Sequence, residues 1–208
     1  MVLVNNTDYL RYSDKEAYLF QDVSGRFRSK GYIDAFDFFS IIVWKSNRSK
    51  SKIAKRLRQL APEDLPHDVA FEKICRDMTT KISIAESHDK RMEILLKEPY
   101  LFYLPIASAI LAVLYPEYFT IYDYRVCAEL KGLDGQNDFR KLAKNRNLKT
   151  VLNGYHKFRE AVIALSPHLK LRDKDLDLFA RSQVKDLQKD IRECFPPKGI
   201  DGEKNTDY

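Results

Sequence analysis

Apolar residues recur along most of this chain at spacings of three and four, the period of a helix with one face in a core. Asp14 opens the first such segment, residues 14–30, with Ala17, Phe20, Val23 and Phe27 on one face and Gly31 after its end. Residues 33–44 follow, dense in Phe36, Phe38, Phe39, Ile41, Ile42 and Val43, and read as a helix buried at the centre of one lobe. In residues 45–58 a helical stripe of Ile53, Leu57 and Leu60 is interleaved with cations. Residues 61–66 read as a connector. Residues 68–81 turn Val69, Phe71, Ile74 and Met78 inward. Residues 82–97 turn Ile84, Met92, Ile94 and Leu95 inward, with Glu86 and Lys90 as a spaced pair. Further helices are expected over 124–131, 151–165 and 171–194, with a turn at 131–135, a stop at Pro167 and another at Phe195-Pro196-Pro197. No alternating, strand-like segments recur. The pattern predicts an all-α protein: one helical domain over 1–198 and a polar tail over 199–208.

The chain is organised around residues 105–126. Residues 106–114 are apolar except for Ser108, and Ala107, Ala109 and Ala112 keep them slim, which predicts a short helix buried on most sides. Tyr115-Pro116 stops it, because a proline disfavours helix in the residue before it. An aromatic turn follows with Tyr115, Tyr118, Phe119 and Tyr122. It leads to Asp123, the only acid between Glu117 and Glu129, at the head of the next helix. An aspartate there is either an N-cap, accepting backbone N–H bonds of the first turn, or a catalytic carboxylate partly desolvated by tyrosines. The two are compatible, since a capping carboxylate is fixed in direction and kept ionised by the helix dipole.

Charge adds a partner class. The chain of 208 residues carries a formal net charge of +6, and its cations cluster. Lys45, Arg48, Lys50, Lys52, Lys55, Arg56 and Arg58 occur with no acid among them, alternating with Ser46, Ser49 and Ser51. Hydroxyls, backbone N–H groups and cations of this kind bind phosphate, against the plainer reading of a solvated helix face. A second cluster holds Arg140, Lys141, Lys144, Arg146 and Lys149. The three cysteines, Cys75, Cys127 and Cys194, and the four histidines, His67, His88, His156 and His168, lie too far apart for a disulfide framework or a metal pattern; Cys127 reads as core and the histidines as surface residues. No metal or cofactor is expected. No signal peptide or membrane-length apolar run is visible, so a cytoplasmic monomer without membrane contact is the expectation.

Ala107-Ser108-Ala109-Ile110-Leu111, then Phe119-Thr120-Ile121-Tyr122-Asp123, then Arg125-Val126, resembles the second half of the signature of the helix-hairpin-helix DNA glycosylases. There a helix follows a glycine-rich hairpin, and a turn leads into an aspartate heading the next helix. The interval of sixteen residues from Ala107 to Asp123 agrees with that family's spacing. Weaker similarity to a bacterial branch of the superfamily lies in Trp44-Lys45-Ser46-Asn47-Arg48 and in Leu171-Arg172-Asp173-Lys174-Asp175-Leu176. The resemblance implies a two-lobed fold, with lobes over 32–130 and over 1–31 with 131–198, and a cleft between them. It implies that Asp123 is the catalytic aspartate. Trp44, Tyr115, Tyr118, Tyr122 and Tyr124 become candidate walls of a pocket for a flipped base, against the plainer reading of each as core. Lys45, Ser46, Arg48, Ser49, Lys50, Lys52, Arg125, Arg140, Lys144 and Arg146 become candidate DNA contacts. Lys45 and Arg125 could meet phosphates or pair with a carboxylate; Arg125, two residues from Asp123, is expected to point away from it on a helix.

Two departures shape the expected activity. The family's hairpin reads roughly LPGVG and grips a DNA phosphate with backbone N–H groups. The aligned residues Pro99-Tyr100-Leu101-Phe102-Tyr103 contain no glycine, which leaves open whether this hairpin holds phosphate. The branch that also cuts the DNA backbone carries a lysine two residues before the alanine of the following helix, and Pro105 stands there. The resemblance therefore implies a monofunctional glycosylase that hydrolyses the N-glycosidic bond and leaves an abasic site. Oxidised, alkylated and deaminated bases, and bulky modified bases of phage DNA, are all open as substrates. The rival expectation is a DNA-binding module of the same fold without catalysis; a third is an interaction protein that binds no nucleic acid.

Overall fold

The computed structural model describes residues 16–134, 138–165 and 167–194. The expected helix start at Asp14, the end of the turn at Gly135, the stop at 195–197 and the polar tail lie outside them. The described residues form helices and contain no strand, so the protein is all-α. A single π-helical turn, Tyr18–Val23, runs into helix α1, Ser24–Lys30. Gly31 ends α1 at φ 75°, a left-handed conformation that costs glycine no Cβ clash. Helix α2, Ala35–Ser46, begins at Asp34, whose side chain accepts the Asp37 N–H at 2.8 Å. A 3-10 turn, Asn47–Ser49, bends the chain into α3, Lys50–Arg58.

Helix α4, His67–Ile84, and helix α5, His88–Leu96, divide differently from the expected 68–81 and 82–97. Ile82 belongs to α4, and Ser87 caps α5 by accepting the Lys90 N–H. Glu86 therefore lies between helices, and Lys90 pairs with Glu93 at 3.0 Å instead. The buried row of α4 is Ala70, Ile74, Cys75, Met78 and Ile82. Val69 and Ile84 fall outside that row and are exposed, as are Leu60, Phe36, Val43 and Leu187.

Every residue of helix α6, Leu104–Leu114, except Pro105 is buried. Its small residues allow close approach, and it packs against α1, α2, α5 and the π-helical turn. Helix α7, Tyr124–Asp134, continues through Gly132 where a turn was expected; one glycine costs a helix only about 1 kcal/mol. A 3-10 segment, Phe139–Lys144, leads to α8, Leu148–Ala164, capped by Asn147 through the Thr150 N–H at 3.0 Å. Helix α9, Leu171–Cys194, lies along both α7 and α8. Among the described residues no helix is long and apolar enough to cross a membrane.

The glycine-free hairpin between α5 and α6 is closed by its backbone. Lys97 O accepts the N–H groups of Tyr100 at 3.1 Å and Leu101 at 2.9 Å, and Leu95 O accepts that of Phe102 at 2.8 Å. Leu101 takes φ 48°. That conformation costs a side-chain-bearing residue about 1 kcal/mol. Arg56 of α3 offsets part of it by donating Nη1–H to Leu101 O at 3.0 Å.

Candidate active site

The loop over residues 119–123 is fixed by three helices before it delivers Asp123. From α6, Ser108 Oγ accepts the Tyr122 N–H at 3.0 Å. From α8, the Tyr155 hydroxyl donates to Thr120 O at 2.7 Å and accepts the Thr120 N–H at 3.1 Å. From α9, Asp175 Oδ2 accepts Thr120 Oγ1–H and the Ile121 N–H, each at 2.8 Å. Burial pushes the Asp175 carboxyl upward from its ordinary range, and the Arg172 guanidinium and the two loop donors oppose that shift. Arg172 also forks onto Glu16, with Nη2 2.6 Å from Oε1 and Nε 3.0 Å from Oε2. A buried carboxylate held this way aims the loop.

Asp123 occupies the N-cap of α7. Its Oδ1 accepts the Arg125 N–H at 3.0 Å, and its backbone carbonyl accepts the Cys127 N–H at 2.9 Å. The other carboxylate oxygen, Oδ2, lies 2.8 Å from Lys45 Nζ, brought from α2 across 78 residues of sequence. Of the two roles open to Lys45, a phosphate contact or a partner for a carboxylate, the structure shows the second: its amine stands on the candidate catalytic carboxylate. Both side chains are largely buried, 11% and 18% exposed, and both line a cavity of about 230 Å³. Trp44, Ile121, Val126, Leu176 and Phe179 give it apolar walls. Its charged lining is balanced: Lys45, Arg125 and Arg172 against Glu16, Asp123 and Asp175. A comparison of the chain with family models, with curated proteins and with solved structures finds no match.

Of the five aromatics expected to form the pocket, Trp44 lines this cavity, edge-on to Phe20 and 5.5 Å from the Arg172 guanidinium carbon. Tyr115 packs against Phe27 and beneath Arg91. Tyr118 stacks on His88 at 3.5 Å, which makes His88 part of an aromatic cluster rather than a surface residue. Tyr122 is buried against Phe158 and donates its hydroxyl to Phe139 O. These three tyrosines stand elsewhere because successive residues of an aromatic turn face different helices. Tyr124 is exposed beside the site, with the Arg125 guanidinium over its ring. Arg125 does line the cavity, against the expectation that it points away. Asp123 precedes the helix as its cap, so the side-chain spacing of a helix interior does not separate the two.

The other expected DNA contacts divide by partner. Ser46 and Ser49 bond each other at 2.8 Å, and Lys50 Nζ reaches Asn47 Oδ1 at 2.7 Å. Arg48, Lys50 and Lys52 are exposed. Arg140 is held by Asp138 through two bonds, Lys144 is exposed, and Arg146 covers the exposed ring of Tyr103 at 3.9 Å. Glu16, Arg172, Asp175 and Phe179 are the site residues that sequence reasoning left without a role, although the segment holding Arg172 and Asp175 stood out. Cys127, behind Asp123, is no nucleophile: burial pushes its thiol up to about 12. No group of three or more potential metal-binding side chains occurs among the described residues. A larger depression of about 830 Å³ lies between α2 and α4, lined by Phe36, Phe39, Val69 and Phe71, apart from Asp123.

Proposed function

We propose that this protein is a DNA glycosylase: it takes one altered base out of the stack and cleaves its N-glycosidic bond, with Asp123 as the catalytic carboxylate. As the base departs, positive charge builds on the sugar. A carboxylate fixed beside the sugar stabilises that charge and orients the water that attacks the anomeric carbon. The observation that carries the reading is the placement of Asp123: an N-cap, aimed by three helices, at a cavity of about 230 Å³ with apolar walls. Trp44 and Phe179 would flank the extruded base, offsetting lost stacking. The balanced charge of the lining suits a neutral base. Phosphates would meet Arg48, Lys50 and Lys52, which continue the chain beyond Lys45 and are free to reach solvent.

The test is base release from duplex and single-stranded DNA carrying a panel of altered bases, with strands cleaved at abasic sites by alkali. Release by the wild type and its loss in Asp123→Asn supports the reading. Binding without release across the panel favours a DNA-binding module. Retention on DNA no better than that of a neutral control protein at low salt removes both readings.

A further inference from the structure

We infer that the depression between α2 and α4 is the interface of a two-fold dimer of this chain, in which Phe36 of each copy seats in the hollow of the other. A monomer was the expectation from the sequence. Nothing on this face takes part in the chemistry read at Asp123, since the depression of about 830 Å³ and the cavity around that carboxylate share no lining residue.

The helical period of α2 leaves this face bare. Phe38, Ile41 and Ile42 turn into the core, which puts Phe36, Ser40 and Val43, at positions i, i+4 and i+7, on the outer side. Phe36 is 72% exposed and Val43 45%. Ser40 donates its hydroxyl back to Phe36 O at 2.8 Å, so the one polar side chain of the stripe is already satisfied. Tyr18 stands edge-on to Phe36 from one side. Beside that projecting ring, Phe39 and Phe71 meet edge-on at 5.3 Å and line the hollow with the exposed Val69. Single exposed apolar residues are ordinary; several grouped in a concavity and rimmed by charges mark a contact site.

Shape and charge both point to a second copy as the occupant. The projecting ring and the hollow lie on one surface, so a two-fold axis brings each ring to the other's hollow, the reciprocal contact of an isologous pair. Asp68, Glu72 and Asp77 rim the depression with Lys73 and Arg76, an acidic excess on a chain of net charge +6. Two copies that meet here do so where the chain's positive excess is absent, whereas nucleic acid would meet acids. Glu72 and Arg76 are committed within each copy: Glu72 Oε2 accepts the Ala35 N–H at 3.0 Å, and Oε1 accepts from Arg76, which lies over the Tyr32 ring. Lys73 is 60% exposed in a 3.4 Å pair with Asp77, and Asp68 has no ion-pair partner among the described residues. Each copy therefore offers the other an open acid and an exposed amine around the apolar centre.

Sedimentation of the full chain without nucleic acid, over a range of concentrations, reads the mass in solution. The expected result is a rise from one chain to two, with dissociation at micromolar protein or below. Amide exchange in residues 35–43 and 67–77 should slow as the dimer fills. Phe36→Ala removes the reciprocal anchor and should raise the dissociation constant about thirtyfold or more, the measure of a central aromatic contact. Its ring is exposed, so the variant monomer should melt with the wild type. Val69→Glu is the second variant; it sets an acid against an acid across the axis, in the first turn of α4, where the helix dipole favours a carboxylate. Ile84→Ala changes an exposed apolar residue at the last position of α4, outside the depression, and should leave the dimer intact. A mass of one chain at every concentration up to about 100 μM overturns the inference and leaves the hollow to a partner other than this chain. A dimer that keeps its affinity in Phe36→Ala and Val69→Glu overturns it, as does one that Ile84→Ala weakens equally. Growth past two copies does so too, because a reciprocal contact closes at two.

Discussion

Asp175 Oδ2 and the backbone nitrogen of Ile121 lie 2.8 Å apart, so α9 holds the strand of loop from which Asp123 projects. The carboxylate is 1% exposed and also engages Thr120 and Arg172. Removing it leaves a buried guanidinium with one carboxylate partner fewer and a backbone N–H with none. Asp175→Ala should cost about 3 kcal/mol, the lower end for breaking a buried pair, since Glu16 still holds Arg172. Chemical denaturation of the two proteins measures it. An equal stability would mean that α6 and α8 hold the loop without α9.

Asp123→Asn keeps the cap but loses the anion paired with Lys45, so its effect on chemistry is read beside its stability. Asparagine is as good an N-cap as aspartate, so the Arg125 N–H keeps an acceptor and α7 keeps its start. The developing positive charge on the sugar loses its anion. Base release should fall by about 10³-fold, with DNA affinity nearly unchanged. A variant that releases base at the wild-type rate would falsify the role given to Asp123.

The division between what the chain's pattern reveals and what it conceals follows the range of each interaction. The helix from Leu104 to Leu114, the stop at Tyr115-Pro116 and the capping Asp123 depend on neighbours within a few positions, and all were legible. So was the course of α9, whose residues 171–194 carry the helical period throughout. The break between α4 and α5 was concealed because Ile82, Ile84, Met92 and Leu95 can be joined into one plausible stripe. Ser87, as a cap, was the local signal against it. That the carboxylate paired with Lys45 is Asp123 was concealed more deeply. Among cations and serines the lysine's surroundings read as phosphate-binding, and its partner stands 78 residues away. Tyr118 and Tyr122 carry the same side chain a few positions apart, yet one stacks on His88 and the other is sealed beneath α8. Only the packing of whole helices decides between them.

Asp37 gives the fold an acid-sensitive anchor. Burial pushes its carboxyl up, but Arg26 and Tyr18 donate to it, three bonds of 2.7 Å, and the net shift is downward. A carboxyl depressed in the folded state contributes its stability fully above the unfolded value, about 3.9, and loses it as pH falls through the lower folded value. Asp37→Asn should therefore cost about 2 kcal/mol near neutrality, with Arg26 already partly solvated. The gap between wild type and variant should close below about pH 4. Unfolding midpoints across a pH series show it; a gap unchanged down to pH 2 would contradict the assignment.

The basic run after Lys45 should divide into two functional halves. Arg56 donates to Leu101 O and lies over the Phe102 ring. Arg58 donates to the carbonyls of Ala61, Pro62, Glu63 and Leu65 and so closes the α3–α4 connector. Lys52 and Lys55 are exposed, and Lys50 reaches only Asn47 of its own turn. Arg56→Ala should cost about 2 kcal/mol, the worth of a charged hydrogen bond to a carbonyl whose residue is held at φ 48°. Faster amide exchange in residues 97–103 should accompany it. Lys50→Ala with Lys52→Ala should leave stability within about 0.5 kcal/mol. On DNA that pair should flatten the slope of log affinity against log salt by about 0.9 for each phosphate left without its cation. An unchanged slope would move the phosphate path to the cluster around Lys144 and Arg146, where Arg146 already lies against Tyr103 beside the hairpin.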